Sequence, residues 1–388
     1  MTNNQTSYSL HQLVNYFLKL GTTGFGGPVA LVGYMHRDLV SQRKWINEEE
    51  YKEGLTLAQL APGPLAAQLA IYIGFVHHGI LGATLAGIAF VIPSFIMVVL
   101  LGMAYKLYGG LPWMQAIFYG VGAAVIGIIA LSTYKLTAKT VSKFEFGALK
   151  KNWLLWLFYI IAAILTIVTQ TENVLLFIGC GVLYMYIKSP PAWIQKNKKN
   201  IILTGIGFWH FEWGVLGKIA LFFTKAGAFV FGSGLAIVPF LHSGVVIENK
   251  WLTEQEFLDA VAVAMITPGP VVITVGFIGY LVAGFPGACV AALATFLPCY
   301  LLTILPAPYF KKISKNNSVK AFVDGITAAV IGALAGAVCI IALRSLIDIQ
   351  TLLIAIASLA ALIYLKKIQE PWIILIAAIA GLLLKLVV

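Results

Sequence analysis

Apolar runs long enough to cross the roughly 30 Å of hydrocarbon in a bilayer recur from one end of this chain to the other. They leave no room for a sizeable soluble domain, so any chemistry takes place in or beside a membrane. Of 388 residues, 60% are hydrophobic and 11% charged, against about 25% charged in soluble domains, and the mean hydropathy is +0.92. A formal net charge of +11 does not indicate nucleic acid, because the lysines sit in short loops between apolar segments, the positive-inside pattern. Cys180, Cys289, Cys299 and Cys339 fall singly in apolar segments and read as packing residues. The six histidines include no metal-ligand spacing such as HExxH, and no metal or other cofactor is expected. The beginning, "MTNNQTSYSLHQLVNYF", lacks the basic region and cleavage site of a secretory signal and reads as part of the mature chain.

Two of the runs are broken in the middle: "LAQLAPGPLAAQLAIYIG" (57–74) and "AVAMITPGPVVITVGFIG" (262–279). They belong to an internal repeat. Shifting the chain by 206 residues aligns "FLKLGTTGFGGPVALVGYMH" (17–36) with "FTKAGAFVFGSGLAIVPFLH" (223–242), and the register runs on through Trp45/Trp251 and Glu50/Glu256 to the two Pro-Gly-Pro triplets. It resumes at 205, pairing "GVGAAVIGIIA" (120–130) with "GITAAVIGALA" (325–335). General apolar similarity accounts for matched Leu, Val and Ala, not for coincident Lys, His, Trp, Glu and Pro-Gly-Pro.

Lysine counts orient the copies. In the first, the loop 106–112 holds Lys106 alone, whereas 135–151 holds Lys135, Lys139, Lys143, Lys150 and Lys151; in the second, Lys311, Lys312, Lys315 and Lys320 crowd the earlier loop and the later one has only Arg344. Matched loops therefore face opposite sides. The predicted fold is an all-α polytopic membrane protein of two inverted-topology repeats, residues 1–200 and 201–388. Six apolar segments per copy with an odd number of crossings give about five transmembrane helices plus one re-entrant hairpin, broken at Pro-Gly-Pro because proline removes a backbone donor and glycine permits a reversal. Both termini are expected outside.

A turn at Pro-Gly-Pro leaves a half-helix starting just after it, with free amides and the positive end of its dipole, which favours an anion. Pro62, Gly63 and Pro64 with Pro268, Gly269 and Pro270 are thus substrate-binding candidates, the rival reading being a simple kink in a spanning helix. Gly26 and Gly27, in "GTTGFGGP", sit where backbone can approach a ligand or another helix. Lys19 and Lys225 are matched cations inside apolar segments, suited to balancing a dianion or to snorkelling toward headgroups. Arg37 is matched by Ser243, so any role is one-sided. Glu53 and Asp259, at the hairpin mouths, are proton-coupling candidates or acids near helix N-termini. His36 and His242 are further proton-coupling candidates or serve as interface anchors, as Trp45 and Trp251 do.

"GFGGP" with a following "R", then "W", then "LAPGP", echoed by "FGSG" and "TPGP", resemble the chromate ion transporter family in its long, two-domain form, over nearly the whole chain. The resemblance implies a secondary transporter exporting chromate, with sulfate as a similar tetrahedral dianion, in the cytoplasmic membrane of a bacterium or archaeon. Gly26, Gly27, Pro28, Arg37, Trp45, Pro62, Gly63 and Pro64 match the first-half motifs, while Ser233 and Gly234 replace "GP" in the second half and break strict symmetry. The expected mechanism is alternating access driven by an ion gradient or the membrane potential, as the chain has no Walker motif. Oxyanion uptake, or conduction through a channel, is the second reading. A membrane-embedded enzyme is the third, and the chain offers it no converging catalytic set. The expected partners are the small oxyanion and membrane lipid, with the fused copies acting as a monomer or pairing into a homodimer.

Overall fold

The computed structural model describes residues 8–25, 27–141, 150, 152–171, 173–190, 214–229, 234–310, 316–365, 368 and 370–386, and every regular element among them is helical. The α-helices are α1 (Leu10–Thr23), α2 (Gly27–Met35), α3 (Glu48–Leu60), α4 (Leu65–Tyr108), α5 (Pro112–Thr140), α6 (Trp153–Thr169) and α7 (Val174–Lys188), followed by α8 (Val215–Ala228), α9 (Val238–His242), α10 (Glu254–Ile266), α11 (Thr274–Ile304), α12 (Asn317–Ser345), α13 (Ile349–Tyr364) and α14 (Glu370–Leu386). Leu65–Tyr108, Pro112–Thr140, Val271–Tyr309 and Asn317–Ser345 are long and apolar enough to cross a membrane.

Two of these four are not straight. A Cβ on Gly74 would overlap the Gly82 carbonyl, yet eight residues of straight helix extend about 12 Å. The chain therefore doubles back at His78–Gly79, where Gly79 takes φ 62°, ψ −154°, a conformation open to glycine and strained for other residues. Ala283–Gly284 repeats the device with φ 62°, ψ −156° at Gly284, and Gly279 packs against the Gly287 carbonyl. Each element is thus a short arm (65–77; 274–282) and a long arm (80–108; 285–304), the long arm of α4 measuring about 43 Å.

The short arms fold back on the helix before the Pro-Gly-Pro. A Cβ on Gly54 would strike the Tyr72 ring and approach Leu69, and Glu50 lies 3.7 Å from His77. These contacts bracket residues 62–64, so α3 and the first arm of α4 form a hairpin about that turn. Capping boxes at Asn47/Glu50 and Thr253/Glu256 start α3 and α10 at matched positions.

The segment 17–36 differs from expectation. It was counted among the spans, with its mid-segment glycines read as a second broken element, and the break proves to be a reversal: α1 has 14 residues, α2 has nine, and the chain folds back between Gly24 and Gly27. Tyr8 stacks on Trp45 with ring centroids 4.5 Å apart, and the Tyr16 hydroxyl donates to Asp38 at 3.4 Å. The physical reason is length: 14 helical residues rise about 21 Å, short of the hydrocarbon core. The second half does the same, with Phe223 stacked on Trp251 at 6.4 Å and Phe222 on Phe240 at 5.4 Å. Each half thus places a pair of short helices ahead of the hairpin at its Pro-Gly-Pro.

This changes the placement of the N-terminus. Tyr8 lies beside Trp45 and His77, at the start of the long arm of α4. Lys385, near the other end of the chain, sits over the Tyr119 ring at 4.4 Å, beside the far end of that arm. The two ends of the described chain are therefore on opposite faces, not together. Cysteines introduced at Ser9 and Ser41 are expected to react with an impermeant reagent from the same side of the membrane, and one at Lys106 from the other. Labelling of Ser9→Cys from the Lys106 side would overturn this topology.

The halves interleave. Gly120 and Gly127 of α5 pack against the backbones of α14 and α13, whereas Gly332 and Gly336 of α12 pack against α6, and Gly325 against α7. Small residues let these backbones approach closely.

Candidate functional site

Both Pro-Gly-Pro turns are buried against the opposite half. Gly63 has φ 145° and Gly269 φ 97°, so each occupies backbone space that favours glycine. A Cβ on Gly63 would lie 3.1 Å from Cβ of Cys299 in the long arm of α11. A Cβ on Gly269 would overlap the Ser94 hydroxyl in the long arm of α4, and the Gly269 N–H donates to the Gly24 carbonyl at 2.9 Å. Ser94 and Cys299 are themselves matched at 205 residues, each directly after a proline, Pro93 and Pro298. The arrangement is therefore reciprocal: each turn closes on the other half's long arm.

Helix starts follow both turns. Pro64 caps α4, and Pro270 caps the short 3₁₀ turn Val271–Ile273 that leads into α11, in each case with no side-chain cap. Their first amides keep the partial positive charge that an N-capping side chain would otherwise engage. Polar side chains cluster here. Gln68, fully buried, donates to the Pro62 carbonyl at 2.9 Å, and Thr274, its counterpart, donates to the Val271 carbonyl at 2.8 Å. Gly27 has φ 73° and open space where a Cβ would stand; Gly26 lies outside the described residues. Gly21 and Gly227, one or two turns earlier, pack directly on the Phe90 and Thr295 carbonyls.

The hairpin mouths lie at opposite ends of the long arm of α4. The mouth of the first half, with Glu49, Lys52, Glu53 and Thr56, shares a cavity of ≈ 470 Å³ with Phe310, while Glu50 reaches His77 beside the arm's beginning. The mouth of the second half shares a cavity of ≈ 860 Å³ with Tyr105, Lys106 and Lys385 at the arm's far end. About 25 helical residues, near 37 Å, separate the two. Phe310 and Tyr105 are matched positions, so the cavities are counterparts.

Their chemistry differs. Asp259 is 2% exposed, and its carboxylate accepts from the Tyr105 hydroxyl at 2.6 Å and from Gln255 Nε2 at 2.8 Å. Tyr105 belongs to the first half and Asp259 to the second, so this bond ties the hairpin mouth to the other half's long arm. Glu53 has Tyr72 of its own hairpin nearby, and Phe310 offers it no hydroxyl.

The remaining candidates sit farther out. Lys19 is exposed on α1, on the side away from the buried Leu13, Phe17 and Leu20. Lys225 is exposed on α8 and lines a separate cavity of ≈ 600 Å³ with Lys218, Asn173 and Ser243. Neither packs on a Pro-Gly-Pro turn. Arg37 is exposed, pairs with Asp38 at 2.7 Å and lies over the Tyr34 ring. His36 meets Glu48 at 2.9 Å and His242 meets Glu254 at 2.6 Å, the same pair in both halves, each fastening a π-helical turn to the following hairpin. The His36 hydrogen bond and Lys52 hold the Glu48 carboxyl below its ordinary range. Burial pushes Glu254 up, but His242 and Arg344, the latter at 3.4 Å, outweigh it and leave its carboxyl lowered. Ser94, Tyr105 and Gln255 were not singled out in the sequence, and Cys299 was read only as a packing residue; the recurrence of Pro-Ser and Pro-Cys in register was the available signal.

A family profile described as "Chromate transporter" matches residues 11–185 and 217–382. This chain belongs to the chromate transporter family. Relatives within reach of the family include the "Chromate transport protein" of Cupriavidus metallidurans, 60% identical over 382 residues, covering 97% of this chain and 93% of that one. A "Probable chromate transport protein" of Synechococcus elongatus is 61% identical, covering 97% and 96%. The "Chromate transport protein" of Pseudomonas aeruginosa is 27% identical, covering 96% and 92%. No solved structure matches the chain. Membership of a transporter family together with long apolar helices makes this a membrane protein.

Proposed function

We propose that this chain is a secondary active transporter that exports chromate, with sulfate as a related substrate, across the cytoplasmic membrane by alternating access. The observation that carries the reading is the reciprocal seating of the two Pro-Gly-Pro turns on the opposite long arms, with their hairpin mouths at opposite ends of α4. The halves, residues 1–200 and 201–388, act as inverted repeats, and the paired hairpins are re-entrant elements that reach the bilayer midplane from opposite sides. Arg37, Arg43, Lys44 and Lys52 flank Trp45, so the positive-inside rule makes that end cytoplasmic. Pro62, Gly63, Pro64, Pro268, Gly269 and Pro270 form the anion site, with backbone amides at two helix starts as donors. Irregular backbone at membrane depth is stable only where protein or a water-filled cavity surrounds it, and both turns are enclosed by protein. Each turn packs on the other half's long arm, so rocking one half against the other opens one mouth while closing its counterpart. The names of relatives that are 60% and 61% identical over nearly the full length support chromate as the substrate.

The test is accumulation of labelled chromate in everted membrane vesicles. Energy-dependent accumulation that excess sulfate reduces and a protonophore abolishes is expected. Accumulation in right-side-out vesicles alone would establish uptake, and equilibration without concentration would establish a channel. No movement of chromate with folded protein present would end the proposal.

A further inference from the structure

The two turns are reciprocal in geometry but not in chemistry. Ser94 is fully buried, and its hydroxyl has no hydrogen-bond partner among the described residues. A serine in a helix ordinarily returns its hydroxyl to the carbonyl one turn back, as Thr295 and Thr303 do in the partner arm at 2.8 Å. Ser94 instead stands against Gly269 of the second turn. A buried hydroxyl left unpaired carries a desolvation cost, and an orphan of this kind in a packed protein calls for a ligand, ion or water to engage it. Directly after the same turn, the amides that open the Val271–Ile273 turn are without a side-chain cap.

Three features thus converge at Gly269: an unpaired hydroxyl, a helix start and a glycine whose lack of a side chain lets the hydroxyl approach the turn. The matched turn is closed by Cys299, whose thiol is a much weaker donor than a hydroxyl. Gln68 is the nearest polar side chain there: its amide nitrogen donates to the Pro62 carbonyl, and its unpartnered Oε1 is an acceptor, which offers an oxyanion no hydrogen bond.

We infer that the Ser94 hydroxyl donates directly to an oxygen of the tetrahedral oxyanion at the second Pro-Gly-Pro turn, making this turn the stronger half of the substrate site. The inference rests on the proposed anion transport and names the residue that carries affinity within it. It gives the duplicated site one strong and one weak half. A dianion is then held through one face and shielded through the other, and the weak half leaves it free to depart.

The experiment is equilibrium binding of chromate, sulfate and molybdate to the purified full-length protein in detergent, read by ligand-induced shift of the melting temperature. Wild type is compared with Ser94→Ala, Ser94→Cys and Cys299→Ala. A hydrogen bond to a charged group, once removed, is expected to weaken chromate binding about tenfold or more in Ser94→Ala and Ser94→Cys. Cys299→Ala is expected to stay within about twofold. Ser94→Cys keeps nearly the same volume, so it reads the hydroxyl even if Ser94→Ala folds poorly. Binding by Ser94→Cys at the wild-type level would overturn the inference while leaving anion transport intact. Wild type that binds sulfate or molybdate in a Ser94-dependent way, but not chromate, would uphold the inference and correct the substrate. Wild type that binds none of the three anions would remove the transport reading and the inference with it.

Discussion

Gly269→Ala is expected to lower chromate transport by about thirtyfold or more at unchanged expression. Two costs combine. Gly269 sits at φ 97°, where a side chain costs about 1–3 kcal/mol. The added Cβ also overlaps the Ser94 hydroxyl, so the turn must withdraw and its 2.9 Å bond to the Gly24 carbonyl, worth about 1 kcal/mol, is lost. A total of about 2–4 kcal/mol is a thirtyfold to several-hundredfold loss of the correctly formed turn. Gly63→Ala is strained in φ as well, but its nearest obstacle is the end of the flexible Gln68 side chain, so its effect is smaller. Gly33→Ala, on α2 with open space at its Cβ, is the control and transports normally. Initial rates in vesicles measure all three. A Gly269→Ala protein with wild-type rates would remove the second turn from the transport path.

The breaks at Pro-Gly-Pro were legible in the sequence because proline acts locally: it deletes a donor wherever it stands, and its recurrence at 206 residues made chance untenable. The glycines of 21–28 were legible as a break but not as a reversal, because glycine serves close helix packing and chain reversal equally well. Both uses occur here within six residues. Gly21 lies on the Phe90 carbonyl, as a packing glycine does, while Gly27 takes φ 73°. An apolar stretch of 20 residues has the same composition as one span or as two half-length helices. Contacts such as that of Tyr8 with Trp45, 37 positions apart, and of Tyr16 with Asp38 separate them, and those contacts are made by tertiary packing.

Lys19 and Lys225 show a similar limit. Their matched positions invited a reading as a charge pair, yet helical phase governs which way each faces. Lys19 is two residues from Phe17, about 200° around the helix, and Phe17 is fully buried. The groups that do meet the turns, Ser94 and Cys299, are small and uncharged, so composition gave them no weight. Repeat registers are strongest where they align prolines and glycines, and the residue following a matched proline is where this chain differentiates its halves.

That differentiation is sharpest at Asp259. Asp259→Asn is expected to reduce gradient-driven chromate accumulation to that of empty vesicles while leaving chromate counterflow within several-fold of wild type. The side chain is almost the same size, so packing survives, but the exchangeable proton is gone. Asp259 is suited to carrying it because its carboxylate is 2% exposed, held by Tyr105 and Gln255, and opens on a cavity whose charged walls are Lys106, Lys385 and Glu256. A buried carboxylate in that setting is stabilised by its two donors and is costly to leave charged if they withdraw. In the proposed alternating-access cycle, rocking the second hairpin away from the end of α4 would take Tyr105 from it, so that movement of the hairpin and protonation of the carboxyl favour one another. Tyr105→Phe removes one donor and is expected to give an intermediate loss. Glu53→Gln, at the counterpart mouth without the cross-half tyrosine, is expected to retain most of the coupling. Accumulation by Asp259→Asn that a protonophore still collapses would place the coupling proton elsewhere, and the His242–Glu254 pair beside Arg344 would be the next group to substitute.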